Sequence, residues 1–193
     1  QTDREQVEIG GSAVLFESGI YAKLPADMPD ALALAVLDVA GAPAQTARLV
    51  KPGDTVLIIG GGGKSGTLCM YEARKRAGVT GTIIGIGSSA KSCQRIRDLG
   101  WADHVLEVDA TNAVAVMDAV AAVTGGKLAD VTINCVNIPG TEMASVLATR
   151  DYGTVYFFSM ATSFTAAALG AEGVGKDVNM IIGNGYTHRH AEI

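Results

Sequence analysis

The chain has 193 residues with a formal net charge of −5, 48% hydrophobic residues and only 5% aromatic residues. The negative charge argues against nucleic acid or an anionic membrane surface as a partner, and no uncharged apolar run is long enough to span a bilayer. Three cysteines without C-x-x-C spacing predict buried thiols in a reducing, cytoplasmic compartment and no metal site.

Strand and helix patterns alternate along most of the chain. A helix is expected over Ala31 to Val39, and beyond Gly41 and Pro43 a second helical stretch runs to Val50. Strands are then expected at about 55–60, 81–86, 104–107, 130–136, 153–159 and 178–183, separated by helices at 64–77, 90–99, 112–123, 141–149 and 164–172. This order predicts an α/β fold with a Rossmann-type, doubly wound, parallel sheet of six strands.

Consecutive glycines at positions 60 to 63 follow the first strand of this pattern. Gly61, Gly63 and Gly66 satisfy G-x-G-x-x-G, in which missing side chains allow a tight turn, close approach of a pyrophosphate and close packing of helix on strand. The helix that begins near Lys64 would direct its free N–H groups at the phosphates. Gly61, Gly63, Lys64, Ser65 and Gly66 are therefore candidate cofactor-binding residues, and a glycine turn without a ligand is the alternative. Lys64 is either a pyrophosphate contact or a solvated lysine.

The sequence Gly63-Lys64-Ser65 also resembles the end of a Walker A loop. That motif requires a glycine at position 58, where this chain has Ile58 inside a strand pattern. A magnesium-binding acid is also absent from the later strand pattern at 131–136. The sequence therefore argues against a nucleoside triphosphatase.

The end of the second strand pattern bears on the choice of dinucleotide. A carboxylate at this point normally binds the adenosine ribose, but the chain has Gly87, Ser88, Ser89 and Lys91 instead. Hydroxyls and an ammonium can accommodate the 2′-phosphate of NADP, which a carboxylate would repel. NADP is therefore favoured as the cofactor and NAD remains possible, while Ser89 could equally cap the next helix.

Polar residues also follow the later strand patterns, where ligands of open parallel sheets bind. Val136 and Asn137 follow the fourth strand, and Ser159 follows the fifth. Asn137 and Ser159 could bind the nicotinamide end of a dinucleotide, or they could cap the helices that follow. Asn134 lies within an apolar strand pattern, so a structural role with buried hydrogen bonds is expected.

Two segments resemble the cofactor domain of the medium-chain dehydrogenases/reductases. They are K-P-G-D-T-V-L-I-I-G at 51–60, before the glycine-rich loop, and D-L-G-W-A-D-H-V at 98–105. The segments at 134–144 and 157–173 are similar to amine dehydrogenases of that family. The resemblance implies oxidative deamination of a small diamino acid: hydride leaves the carbon bearing the 3-amino group for the nicotinamide, and hydrolysis of the imine releases ammonia.

The resemblance also implies a domain organisation and a partner. Residues 1–25 would be the last strands of a mostly absent GroES-like catalytic domain, and 26–193 the dinucleotide-binding domain. Edge-to-edge pairing through 178–183 would form a homodimer. No catalytic residue can be assigned: His188 and His190 lie in a polar tail, where a catalytic base is conceivable but a solvated position is typical. A quinone or enoyl reductase of the same family and a stand-alone nucleotide-binding module are the alternatives.

Overall fold

The computed structural model describes residues 10–11, 24–183 and 187, except for the side chains of residues 34–38. Two helices, α1 (Asp30–Val39) and α2 (Gly41–Leu49), precede the sheet. The remaining elements are β1 (Thr55–Ile59), α3 (Lys64–Ala77), β2 (Thr82–Gly87), α4 (Ala90–Leu99), β3 (His104–Glu107), α5 (Ala113–Thr124), β4 (Ala129–Asn134), α6 (Glu142–Ala148), β5 (Thr149–Phe157), α7 (Phe164–Gly173) and β6 (Asn179–Ile182). No helix in this part of the chain is long and apolar enough to cross a membrane.

The six strands form one parallel sheet in the order β3-β2-β1-β4-β5-β6. The predicted α/β fold and Rossmann-type sheet are confirmed. The strand order reverses between β1 and β4, which are hydrogen-bonded neighbours. A crevice is expected beyond the carboxyl ends of the strands at such a reversal, because the connections leave them in opposite directions.

The side chains of β1 alternate between two apolar layers. Val56 and Ile58 pack with α3 residues such as Met70, while Leu57 and Ile59 pack with residues of α5 and α6. These four side chains are fully buried, which explains why they form a continuous apolar run instead of an alternating pattern. The sheet therefore lies between helices on both faces, and its carboxyl edge is left for the connecting loops.

One strand is longer than the sequence pattern predicts. β5 begins at Thr149, directly after α6, whereas the pattern predicts a start at 153. The register with β4 shifts between Ala129 and Val131, and Tyr152 adopts a φ of 61°. A bulge that leaves extra residues of one strand unpaired has no signature in the alternation of apolar residues, so the sequence could not indicate it.

The predicted remnant of a catalytic domain at 1–25 lies almost wholly outside the described residues, as do His188 and His190. These predictions stay untested.

Replacing Ile133, a fully buried residue near the carboxyl end of β4, with Ala should reduce the free energy of unfolding by about 2–5 kcal/mol, because a cavity forms between sheet and helices. Urea denaturation followed by circular dichroism measures the change. Val79 is 99% exposed, so Val79→Ala is the control and should change stability by less than about 0.5 kcal/mol. Equal losses in the two variants would contradict the assignment of this core.

Candidate functional site

The glycine-rich loop at 60–63 is held against its neighbours by backbone contacts. The N–H groups of Gly60 and Gly61 both donate to the carbonyl of Ile86, at 3.1 and 3.0 Å. Gly60 has a φ of 84°, a conformation that favours glycine, and its carbonyl oxygen would lie 2.1 Å from a Cβ atom at Gly66. The absence of a side chain at Gly66 therefore lets α3 begin directly beneath the turn.

The first turn of α3 leaves backbone donors free. Gly63 is the N-cap residue and no side chain caps the helix, so the N–H groups of Lys64 and Ser65 have no intrahelical acceptor. Gly63 is exposed, and its N–H donates to the carbonyl of Gly60. This combination of free N–H groups and the positive end of a helix dipole favours an anion.

A cleft lies between the carboxyl ends of β1, β2, β3 and β4; we call it the adenosine-side cleft because of its place in the fold. Gly87 and Ser88 line it from β2, Val136 from the loop after β4, and Asp109 and Thr111 from the loop after β3. A Cβ atom at Gly87 would lie 3.0 Å from the backbone nitrogen of Cys93 and 2.8 Å from Ser92 Oγ. The close packing of α4 therefore leaves no space for a side chain at Gly87.

Asp109 is a residue of this cleft that the sequence analysis missed. Its Oδ1 accepts hydrogen bonds from Thr111 N at 2.9 Å and Thr111 Oγ1 at 2.8 Å. These bonds, the backbone one first, hold the pKa of the Asp109 carboxyl below its usual value. The sequence did contain a signal for Asp109, because this residue follows the third strand and the carboxyl ends of all the parallel strands lie at the same edge of the sheet.

The other candidate residues near α4 differ in position and in role. Ser89 is the N-cap of α4, and its Oγ accepts from Ser92 N at 3.3 Å, so the capping alternative is confirmed. Lys91 is exposed on α4 and is not among the residues that line the adenosine-side cleft. Arg95, which the sequence analysis also missed, donates from Nη1 to the carbonyl of Gly62 at 3.5 Å. Arg95 and Lys64 line a separate, open groove together with Gly62 and Gly63.

The loop after β4 is fixed by the buried amide of Asn134. Its Nδ2 donates to Thr141 Oγ1 at 2.9 Å and to Ser145 Oγ at 3.0 Å, and its Oδ1 accepts from Val136 N at 3.0 Å. The structural role expected for Asn134 is confirmed, and the amide sets the position of Val136 at the cleft. Glu142, which is only 4% exposed, accepts from Ser163 N at 2.6 Å and joins this loop to the one after β5.

Asn137 and Ser159 do not cap the helices that follow them. The N-cap residues are Thr141 for α6 and Ser163 for α7, so the capping interpretation is wrong for both. Asn137 is exposed, and Ser159 Oγ accepts from Ala161 N at 3.1 Å within its own turn. A ligand contact by either residue stays a prediction.

Two cysteines and a tyrosine lie together in the apolar layer that packs on α3. The Sγ atoms of Cys69 and Cys135 are 3.9 Å apart, and this contact and burial raise the pKa of the Cys135 thiol. Burial also raises the pKa of Tyr156, whose hydroxyl has no hydrogen-bond partner among the described residues. Groups held protonated in this way behave as core residues.

The sequence and the fold can be compared with known proteins. A family described as "Zinc-binding dehydrogenase" matches residues 65–170, more than half of the chain. The chain belongs to the zinc-binding dehydrogenase family. This confirms the resemblance to medium-chain dehydrogenases/reductases. Among the described residues, no three His, Cys, Asp or Glu side chains are grouped in a way that could hold a metal ion.

Two curated relatives are similar over nearly the whole chain. L-erythro-3,5-diaminohexanoate dehydrogenase of Acetoanaerobium sticklandii is 61% identical over 191 residues, which are 99% of this chain and 56% of that protein. The protein of the same name from Fusobacterium nucleatum subsp. nucleatum is 56% identical over 189 residues, 98% of this chain and 55% of that protein. The chain therefore spans about half the length of the curated relatives it matches.

The fold also matches solved structures of the family. A mycobacterial quinone oxidoreductase superimposes with a TM-score of 0.64 at 25% identity, covering 83% of this chain and 48% of that one.

Replacing Gly66 with Ala should lower the free energy of unfolding by about 1–3 kcal/mol, because the new Cβ atom overlaps the carbonyl of Gly60 and must displace the loop or α3. Gly173→Ala is the control: this exposed residue ends α7, and nothing lies within 4 Å of its Cβ position. Its effect should stay within about 0.5 kcal/mol. Chemical denaturation of both variants measures the difference, and a Gly66→Ala variant as stable as the control would contradict the close contact.

Proposed function

We propose that this chain is the cofactor-binding half of an NAD(P)-dependent amine dehydrogenase. The proposed reaction is the oxidative deamination of L-erythro-3,5-diaminohexanoate to 5-amino-3-oxohexanoate and ammonia in lysine fermentation. The observation that carries the proposal is the 61% identity to the Acetoanaerobium sticklandii dehydrogenase, which extends through 99% of this chain. A cytoplasmic location is consistent with the three free thiols and stays a prediction.

The geometry of the site fits a nicotinamide dinucleotide. The uncapped start of α3 offers the N–H groups of Lys64 and Ser65 to a pyrophosphate, and the exposed Gly63 leaves room above them. The adenosine-side cleft has apolar walls from Ile86 and Val136, which suit an adenine ring. When bound, such a cofactor would accept the hydride; the residues of this chain would bind and orient it.

The choice between NADP and NAD depends on the adenosine-side cleft. The sequence favours NADP through Gly87, Ser88 and Lys91, but of these only Gly87 and Ser88 line the cleft. Gly87 has a packing reason to lack a side chain. The cofactor is therefore proposed as a nicotinamide dinucleotide, either NADP or NAD.

A quinone reductase of the same family is the second candidate. It is favoured by the similarity of the fold to the mycobacterial quinone oxidoreductase. The same cofactor domain can serve either reaction, because a fold does not fix the chemistry that is performed on it.

The function is tested with a chimera in which this chain replaces the matching part of the Acetoanaerobium sticklandii relative. With L-erythro-3,5-diaminohexanoate and either NAD or NADP, it should form reduced nicotinamide and ammonia in equal amounts. Gly63→Val should lower kcat/KM by about tenfold or more, because the branched side chain occupies the space over α3. Gly173→Val is the matched control, since nothing lies within 4 Å of that Cβ position.

The outcomes separate the candidates. Quinone reduction with NADPH and no turnover of the diamine would favour the reductase. Dinucleotide binding without either activity would favour a nucleotide-binding module.

We further propose that a second copy of the chain pairs with β6. This strand is at the edge of the sheet, its only strand partner in the described part of the chain is β5, and Ile182 is 59% exposed. Gly183 donates its N–H to Phe157 on β5. Since the N–H groups of successive residues in a strand point to opposite edges, the N–H of Ile182 faces away from β5, and no described strand lies on that side to accept from it.

Sedimentation should therefore give a dimer, and Ile182→Pro should shift it to a monomer by removing that outward N–H. Ile182→Ala keeps the backbone donor and is the control for the side chain. A dimer unaffected by the proline, or a monomer at high protein concentration before any substitution, would contradict pairing through this edge.

A further inference from the structure

The adenosine-side cleft contains a negatively charged side chain. Among the described residues that line it, Asp109 is the only one with a charged side chain. Two cations of α4 do not line the cleft: Lys91 is exposed on the helix, and Arg95 donates to the carbonyl of Gly62. Asp109 is therefore the charged side chain that a group bound in this cleft would meet.

Asp109 is held in position by its own loop. The two bonds from Thr111 fix Oδ1, and the N–H of Asn112 donates to the Asp109 carbonyl at 3.0 Å. No described residue donates to Oδ2, which leaves one carboxylate oxygen for a ligand. The N–H of Val108 donates to the carbonyl of Gly87 at 3.2 Å, so this loop is tied to the end of β2. Its lowered pKa keeps the carboxylate ionised at neutral pH.

We propose that Asp109 is the specificity-determining residue for the adenosine ribose, accepting a hydrogen bond from its hydroxyls and excluding a 2′-phosphate. The inference rests on the proposed dinucleotide-binding function and refines it. Related sites normally place the acid at the end of the strand that follows the glycine-rich loop. Gly87 stands there and has no room for a side chain, while the next strand of the sheet brings Asp109 to the same cleft. On this basis the chain selects NAD over NADP, the reverse of the preference that the sequence favours.

Binding of adenosine fragments tests the inference without the substrate or the nicotinamide. Calorimetry on the 193-residue chain compares 5′-AMP with adenosine 2′,5′-bisphosphate, which differ only in the 2′-phosphate, and then NADH with NADPH. The unsubstituted chain should bind 5′-AMP and NADH about tenfold or more tightly than their 2′-phosphorylated counterparts. Asp109→Asn keeps an oxygen for the Thr111 bonds and removes the charge, so it should reduce this preference by about tenfold.

Glu107→Gln is the matched control. Glu107 is exposed on β3, two residues before Asp109, and does not line the cleft, so its substitution removes one nearby charge and should leave the preference unchanged. A measurement in 0.5 M salt separates a direct contact from the general field of the protein, because the field is screened and the contact is retained.

The results distinguish this inference from the proposed function. Tighter binding of NADPH than of NADH by the unsubstituted chain, or equal effects of Asp109→Asn and Glu107→Gln, would overturn the role of Asp109 and leave dinucleotide binding intact. If neither dinucleotide nor either fragment binds, the proposed function is wrong and this inference fails with it.

Discussion

The close approach of α3 to the carbonyl of Gly60 is the constraint on which the rest of the site depends. It requires the absence of a side chain at Gly66, where a Cβ atom would lie 2.1 Å from that oxygen. The same turn is hydrogen-bonded to the end of β2 through Gly60 and Gly61. The first contact joins the end of β1 to the start of α3, and the hydrogen bonds join it to the end of β2. The three elements are therefore held together as one unit. The free N–H groups of α3 are directed outward from that unit, which is what the proposed pyrophosphate contact needs.

The glycine-rich loop and the loop after β4 are stabilised in different ways. The glycine-rich loop owes its shape to missing side chains, whereas the loop after β4 owes its shape to a buried polar side chain. Asn134 makes its hydrogen bonds to Thr141, Ser145 and the backbone of Val136 in a fully buried setting. An unpaired amide there would be costly, so the network selects one conformation of the loop. Glu142 extends this rigidity to the loop after β5.

The charge at the adenosine-side cleft comes from the third strand instead of the second. In related folds the ribose-binding acid lies about 20 residues after the glycine-rich loop. In this chain that position falls on Gly87 and its neighbours. The cleft lies at the carboxyl ends of four strands, so an acid can line it from a position other than the end of β2. At Gly87, α4 is too close for any side chain, while Asp109 lies in an open turn stabilised by Thr111. The proposed selection of NAD follows from this exchange of roles between neighbouring strands.

The sequence by itself determined the fold class, the order of helices and strands and the position of the glycine-rich loop, because these depend on local periodicity and on glycine spacing. Ile58 within β1 and Gly66 in the first turn of α3 are examples, since each is defined by its immediate neighbours in the chain. The tertiary structure alone decided the bulge of β5, the packing role of Gly87, and the position of Asp109 in the same cleft as Ser88 and Val136. These three features depend on how the strands pair and how the helices pack onto them, and neither is fixed by the local sequence pattern.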